Sequence, residues 1–128
     1  MNEATMQTLF GHWLKANWGS AAAFELKIVK RDRFYFRQIE DHQLYNLKQV
    51  KHGLFYHKIP DLGNQCPFDC YTLWKVPSYI VVLFYKPRQP KQFYMLDIDT
   101  VQGLIDDGKK SITEEEAKRY ADLTGTLK

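Results

Sequence analysis

Glu25 and Lys27 stand two residues apart in Ala22-Ala23-Phe24-Glu25-Leu26-Lys27-Ile28-Val29. On a strand, alternation puts Phe24, Leu26 and Ile28 on one face and Glu25 with Lys27 on the other. Two opposite charges on a buried face need partners or a chemical task, because removing them from water is costly. A solvated second face on an edge strand accounts for the same pair without any chemistry. On the tripeptide alone that plainer account is the better one.

Gln43 shifts the balance. Ile39, Gln43, Asn46, Leu47 and Val50 fall on one face at helical spacing, so Gln43 belongs to the face that should pack on a sheet. A buried glutamine must find hydrogen-bond partners. It either bonds a backbone edge or reaches toward the pocket holding Glu25 and Lys27. Farther on, Asp61 and Asp69 each follow a proline-containing turn. Asp69 enters a strand, where a carboxylate is disfavoured and calls for a reason; Asp61 suits a turn. Asp69 is therefore the preferred chemical acid, with Asp61 in reserve. Asp99 is explained as a helix cap, Asp97 has no lysine at matching spacing, and Glu114 to Glu116 suit a helix dipole.

The elements that must position these groups follow from periodicity and punctuation. A helix is predicted over Ala4–Asn17, a strand over Ala21–Lys30 and a short extended piece over Phe34–Arg37. A second helix runs from Ile39 to His52 and stops at Gly53. Leu54–Ile59 is extended, Pro60–Pro67 is a loop, and strands follow at Phe68–Trp74, Tyr79–Tyr85 and Gln92–Ile98. Asp99 and Thr100 cap a short helix ending at Gly108, and Thr113-x-x-Glu116 is a capping box opening a last helix through Tyr120. The expected fold class is α/β, one domain over residues 1–128, with a central mixed sheet flanked by helices.

Composition agrees with a folded domain, hydrophobic residues forming 45% and aromatics 15% of 128 residues. The longest apolar run, Tyr79–Tyr85, is too short to span a membrane, and the N-terminal residues carry no secretory pattern. A cytoplasmic location without membrane association is expected. Cys66 and Cys70 fit neither a redox motif nor a zinc site and read as reduced thiols. Net charge is +3, and Lys27, Lys30, Arg31, Arg33 and Arg37 stand against Asp32 alone, with Phe34, Tyr35 and Phe36 interleaved. Such a stretch suits a phosphate backbone with stacked bases. It equally suits a solvated hairpin tip leading into an aromatic core strand.

With Phe24-Glu25-Leu26-Lys27, His42-Gln43, Lys58-Ile59-Pro60-Asp61 and Pro67-Phe68-Asp69, the chain resembles the PD-(D/E)xK nuclease superfamily from Phe10 to Asp99. Within it, the chain is similar to small Holliday-junction-resolvase-like proteins of phages and microbes. The resemblance implies a restriction-endonuclease-like core. It also implies a Mg²⁺-dependent endonuclease (Mn²⁺ substituting) that hydrolyses phosphodiester bonds of branched DNA, as a homodimer, in a host cytoplasm if phage-encoded. Glu25, Asp69 and the backbone carbonyl of Leu26 would hold the metal, with Asp61 in reserve. Lys27 would orient water or stabilise transition-state charge, and Gln43 would position the water or Lys27. Lys30, Arg31, Arg33, Arg37 and Lys58 would hold the DNA backbone, and Glu3 could serve as the helical acid of some resolvases. In the usual order the metal-binding Asp precedes the Glu-x-Lys strand. Here the stretch from Gly19 to Phe24 has no acid and Asp69 follows, which implies a permuted arrangement.

A nucleic-acid-binding module of the same fold without catalysis is the main alternative, predicting salt-sensitive binding but no metal-dependent cleavage. A protein–protein adaptor with a structural Glu-x-Lys pair is a third.

Overall fold

The computed structural model describes residues 1–58 and 70–128. Asn2 accepts the Thr5 amide through its side chain at 2.8 Å and opens α1 (Glu3–Asn17). Strand β1 (Ala23–Val29), β2 (Arg33–Tyr35), a 3₁₀ turn (Phe36–Gln38) and α2 (Asp41–His52) follow. The hairpin β3 (Leu54–Lys58) and β4 (Cys70–Trp74) precedes β5 (Ser78–Phe84) and β6 (Lys91–Asp97). The chain ends with α3 (Ile98–Asp106), β7 (Ser111–Thr113), α4 (Glu114–Tyr120) and β8 (Leu123–Leu127). No described helix is long and apolar enough to cross a membrane.

The central sheet has the order β1-β5-β6-β8. β1 runs parallel to β5, joined through α2, while β5–β6 and β6–β8 are antiparallel, so the sheet is mixed as predicted. Its strand β5 is nearly continuous hydrophobe and buried on both faces. One face, with Ile80, Val82, Phe84, Tyr94 and Leu96, packs with Leu47 of α2, Val101 of α3 and Ala117 of α4. The other, with Val81, Leu83, Phe93 and Met95, packs under Met6 and Phe10 of α1.

Several boundaries differ from the sequence expectation. Phe34–Arg37 divides between β2 and the 3₁₀ turn, because β2 finds a partner in β7, a strand too short to announce itself. β8 was not predicted; Gly125 interrupts its apolar pattern, yet it completes the central sheet beside β6. α2 begins after Glu40 rather than at Ile39. The cap of α3 is Asp97, whose carboxylate accepts the Asp99 amide at 2.8 Å, rather than Asp99 or Thr100.

Asp97 also has a lysine after all, supplied by another element. Lys51 at the end of α2 lies 2.7 Å from both Asp97 and Asp99, and His52 lies 2.7 Å from Asp99. Cations at the C-terminus of α2 thus meet carboxylates at the N-terminus of α3, a pairing both helix dipoles favour. Burial opposes ionisation of Asp99, but bonds to Lys51 and His52 outweigh it and lower its pKa. These acids clamp two helices together.

Thr113 and Glu116 form the expected capping box, and Glu116 also bonds Lys109. The Lys109 ammonium, followed by the Thr113 amide, pulls the Glu116 pKa from 4.5 to about 2. A carboxyl depressed on folding stabilises fully above its unfolded value and loses that contribution as pH falls through its folded value. Between pH 4.5 and about 2 the wild type is therefore expected to lose more stability than Glu116→Gln. Urea midpoints of both proteins across that range check it; parallel curves would contradict it.

Candidate active site

β1 is an edge strand, and its pleat decides what each residue can offer. Ala23 N donates to Pro77 O at 2.9 Å and Val29 O accepts from Tyr85 N at 2.8 Å. Backbone groups alternate along a strand, so those of Glu25 and Lys27 also turn toward β5. Those of Phe24, Leu26 and Ile28 turn to the outer edge, where no described strand pairs with them. The Leu26 carbonyl is thus presented at an edge that no described strand covers, between the two charged residues.

Glu25 and Lys27 lie on the face that looks at α2, and α2 answers with Gln43. Gln43 Nε2 donates to Glu25 Oε1 at 2.9 Å, while Gln43 Oε1 accepts the Glu40 amide at 3.0 Å. Both readings of this glutamine are therefore combined in one side chain. The capping box at the start of α2 fixes its amide, and the fixed amide holds Glu25.

Lys27 Nζ stands 3.6 Å from Glu25 Oε1, with side chains 11% and 29% exposed respectively. The lysine is buried with one carboxylate beside it, and Glu25 keeps its second oxygen unpaired among the described residues. A half-open carboxylate pinned through one oxygen can still accept a ligand through the other.

α1 brings a further acid to this edge. Glu3 borders a cavity of about 520 Å³ with Glu25 and Leu26, and a second of about 470 Å³ with Lys27 and Lys30. Its position in the first turn of α1 is fixed by the Asn2 cap. That Asn–Glu pair was the available sequence signal.

Of the basic residues, Lys30, Arg31, Arg33 and Arg37 border one cavity of about 360 Å³ past the end of β1. The aromatics between them divide by face. Phe34 and Phe36 are buried core, as the plainer reading held, whereas Tyr35 borders the basic cavity under the Arg37 guanidinium, 4.7 Å from its ring centroid. Lys58 ends β3. Asp61 and Asp69 lie outside the described residues. His42 is exposed and sits 3.2 Å from Glu40 in the first turn of α2, and among the described residues no ligand cluster gathers round it.

Mg²⁺ takes oxygen donors, keeps several waters and needs only one or two protein carboxylates. The donor set at this edge, the Glu25 carboxylate with the Leu26 carbonyl beside it, fits that chemistry. Among the described residues no three His, Cys, Asp or Glu side chains gather as a metal cage. Lys27 and the cavity cations favour an anionic ligand. No protein-family model, curated protein or solved structure matches the chain.

Proposed function

We propose that the protein is a Mg²⁺-dependent endonuclease that hydrolyses phosphodiester bonds in DNA, with branched DNA such as Holliday junctions as its preferred substrate. The observation that carries this reading is the Gln43–Glu25–Lys27 cluster on an edge strand that no described strand covers on its outer side, with the Leu26 carbonyl between the charges. The buried lysine and the helix-capping glutamine converge on one oxygen of a half-exposed carboxylate, which leaves its other oxygen for a ligand.

Glu25, the Leu26 carbonyl and Asp69 would hold the metal, with Asp61 in reserve. Bound there, Mg²⁺ supplies Lewis-acid polarisation of phosphate oxygen and a more acidic water. Lys27, already desolvated, places positive charge where negative charge grows on the phosphoryl oxygens, and it does so without reorganising. Gln43 holds Glu25 by donating to one oxygen only, which leaves the other for the metal. Lys30, Arg31, Arg33, Arg37 and Lys58 hold the backbone, and two symmetric cuts in a junction call for a homodimer.

The test is incubation with labelled four-way junction, linear duplex and single-stranded DNA in Mg²⁺ or EDTA, beside Asp69→Asn. Mg²⁺-dependent cutting, fastest on the junction and reduced at least about a hundredfold in the variant, is expected. Binding without cutting, unchanged by EDTA, would instead favour the silent DNA-binding module, a reading that the acid-free stretch before Glu25 supports.

A further inference from the structure

Tyr35 and Arg37 are shared by two cavities of opposite character. On one side is the basic cavity, whose bordering residues include four cations and no acid. Arg33 is partly compensated, donating to Ser111 Oγ at 2.9 Å and lying 4.0 Å from Glu116. Lys30, Arg31 and Arg37 have no carboxylate within ion-pair distance among the described residues. Like charges gathered in this way repel one another, and an anion with several acceptor oxygens relieves that cost while satisfying their donors.

On the other side of the stack lies a cavity of about 510 Å³, walled by Phe36, Ile39, Leu44 and Ile105. Lys109, Lys110 and Asp41 also border it. Its apolar wall fits a flat ring, and the Tyr35–Arg37 stack gives that ring an aromatic and guanidinium surface at the boundary. Each cavity is of the size that encloses small ligands. An anion on one side and a flat ring on the other, a short linker apart, is the chemistry of a nucleotide.

We propose that these two cavities form one subsite for a single unpaired nucleotide, its phosphate among Lys30, Arg31, Arg33 and Arg37 and its base against Leu44 and Ile105. A base held there cannot remain stacked in a duplex, so the subsite selects DNA that already has an unpaired or easily extruded nucleotide. The inference rests on the DNA reading and deepens it, because the subsite is continuous with the Lys27 cluster. The cavity bordered by Lys27 shares Lys30 and Gln38 with the basic one. Lys27 and Lys30 are separated by roughly 10 Å of extended chain. The extruded nucleotide therefore lies next to the phosphate that meets Lys27.

Calorimetry on the full chain at low salt, without metal, tests this with three probes: deoxyadenosine 5′-monophosphate, inorganic phosphate and deoxyadenosine. The monophosphate is expected to bind at least about tenfold more tightly than either fragment, since one base stacked on an aromatic contributes that much. Arg31→Gln, in an exposed turn, should weaken the monophosphate about tenfold and leave deoxyadenosine unchanged. Leu44→Trp, which occupies the apolar cavity, should reduce the monophosphate to the level of phosphate. Glu25→Gln should change none of these affinities. The proposal is overturned if phosphate binds as tightly as the monophosphate, or if Arg31→Gln has no effect. It is also overturned if Glu25→Gln weakens the monophosphate, which would place the nucleotide at the Glu25–Lys27 cluster. No step here requires cleavage, so an inactive protein that binds the monophosphate as described would refute the nuclease reading and leave the subsite standing.

Discussion

Lys27→Met is expected to lower Mg²⁺-dependent DNA cleavage by about 10²- to 10³-fold, the loss typical when one preorganised charge-stabilising donor is removed. Methionine keeps most of the lysine stem and removes only the ammonium, so the variant separates charge from packing. The fold should survive. Lys27 is 11% exposed and 3.6 Å from its carboxylate, a geometry in which the cost of desolvating the ammonium offsets much of the attraction. Glu25 would remain bonded to Gln43 and 29% exposed, so its charge is not stranded. An unfolding midpoint within a few degrees of wild type, together with the lost rate, is the expected pair of results. A normal cleavage rate in a well-folded Lys27→Met protein would remove Lys27 from the mechanism. A collapsed midpoint would show instead that the ion pair is structural.

How far this site was legible in the sequence depends on which force fixes each residue. Alternation along a strand is a rigid rule, so the shared face of Glu25 and Lys27 and the opposite face of Phe24, Leu26 and Ile28 could be read directly. Helical spacing likewise aimed Gln43 at the sheet, and the hydrogen bond to Glu25 realises it. Periodicity cannot tell which helix end meets which strand end. The partner of Asp97 is Lys51, remote in sequence and brought close by the α2 crossover, so a search for local spacing could not find it. The same holds for Glu3, which reaches the β1 edge only because α1 packs across Phe24 and Phe93. The basic stretch was ambiguous for a different reason. Residues on one short strand serve both faces, so Phe34 joins the core while Arg33 and Tyr35 border the cavity. The core reading holds for Phe34 and Phe36, and only the pairing of β2 with β7 could assign each residue its face.

β8 supplies the second large effect, at the glycine that hid it. Gly125 pairs with Phe93 across β6–β8, and the Phe93 ring lies over the glycine. A Cβ at position 125 would meet Phe93 Cζ at 2.5 Å and Trp13 Nε1 at 3.0 Å. The Phe93 ring has little room to yield. Phe93 is fully buried, with edge contacts to Phe10 at 5.3 Å and Trp13 at 4.8 Å between centroids. Alanine would normally strengthen a strand relative to glycine, so intrinsic preference and packing give opposite signs here. Packing prevails, since overfilling a closed core costs about 1–3 kcal/mol, against a backbone gain of roughly 0.5–1 kcal/mol. Gly125→Ala is therefore expected to destabilise the protein in urea unfolding. Phe93→Leu, which shortens the side chain beneath, should relieve the clash and make the double variant more stable than the sum of the two single losses predicts. A coupling of about 0.5–3 kcal/mol in that direction is expected. Strict additivity would mean that the alanine is accommodated by movement of β8, and that the ring does not hold this strand in place.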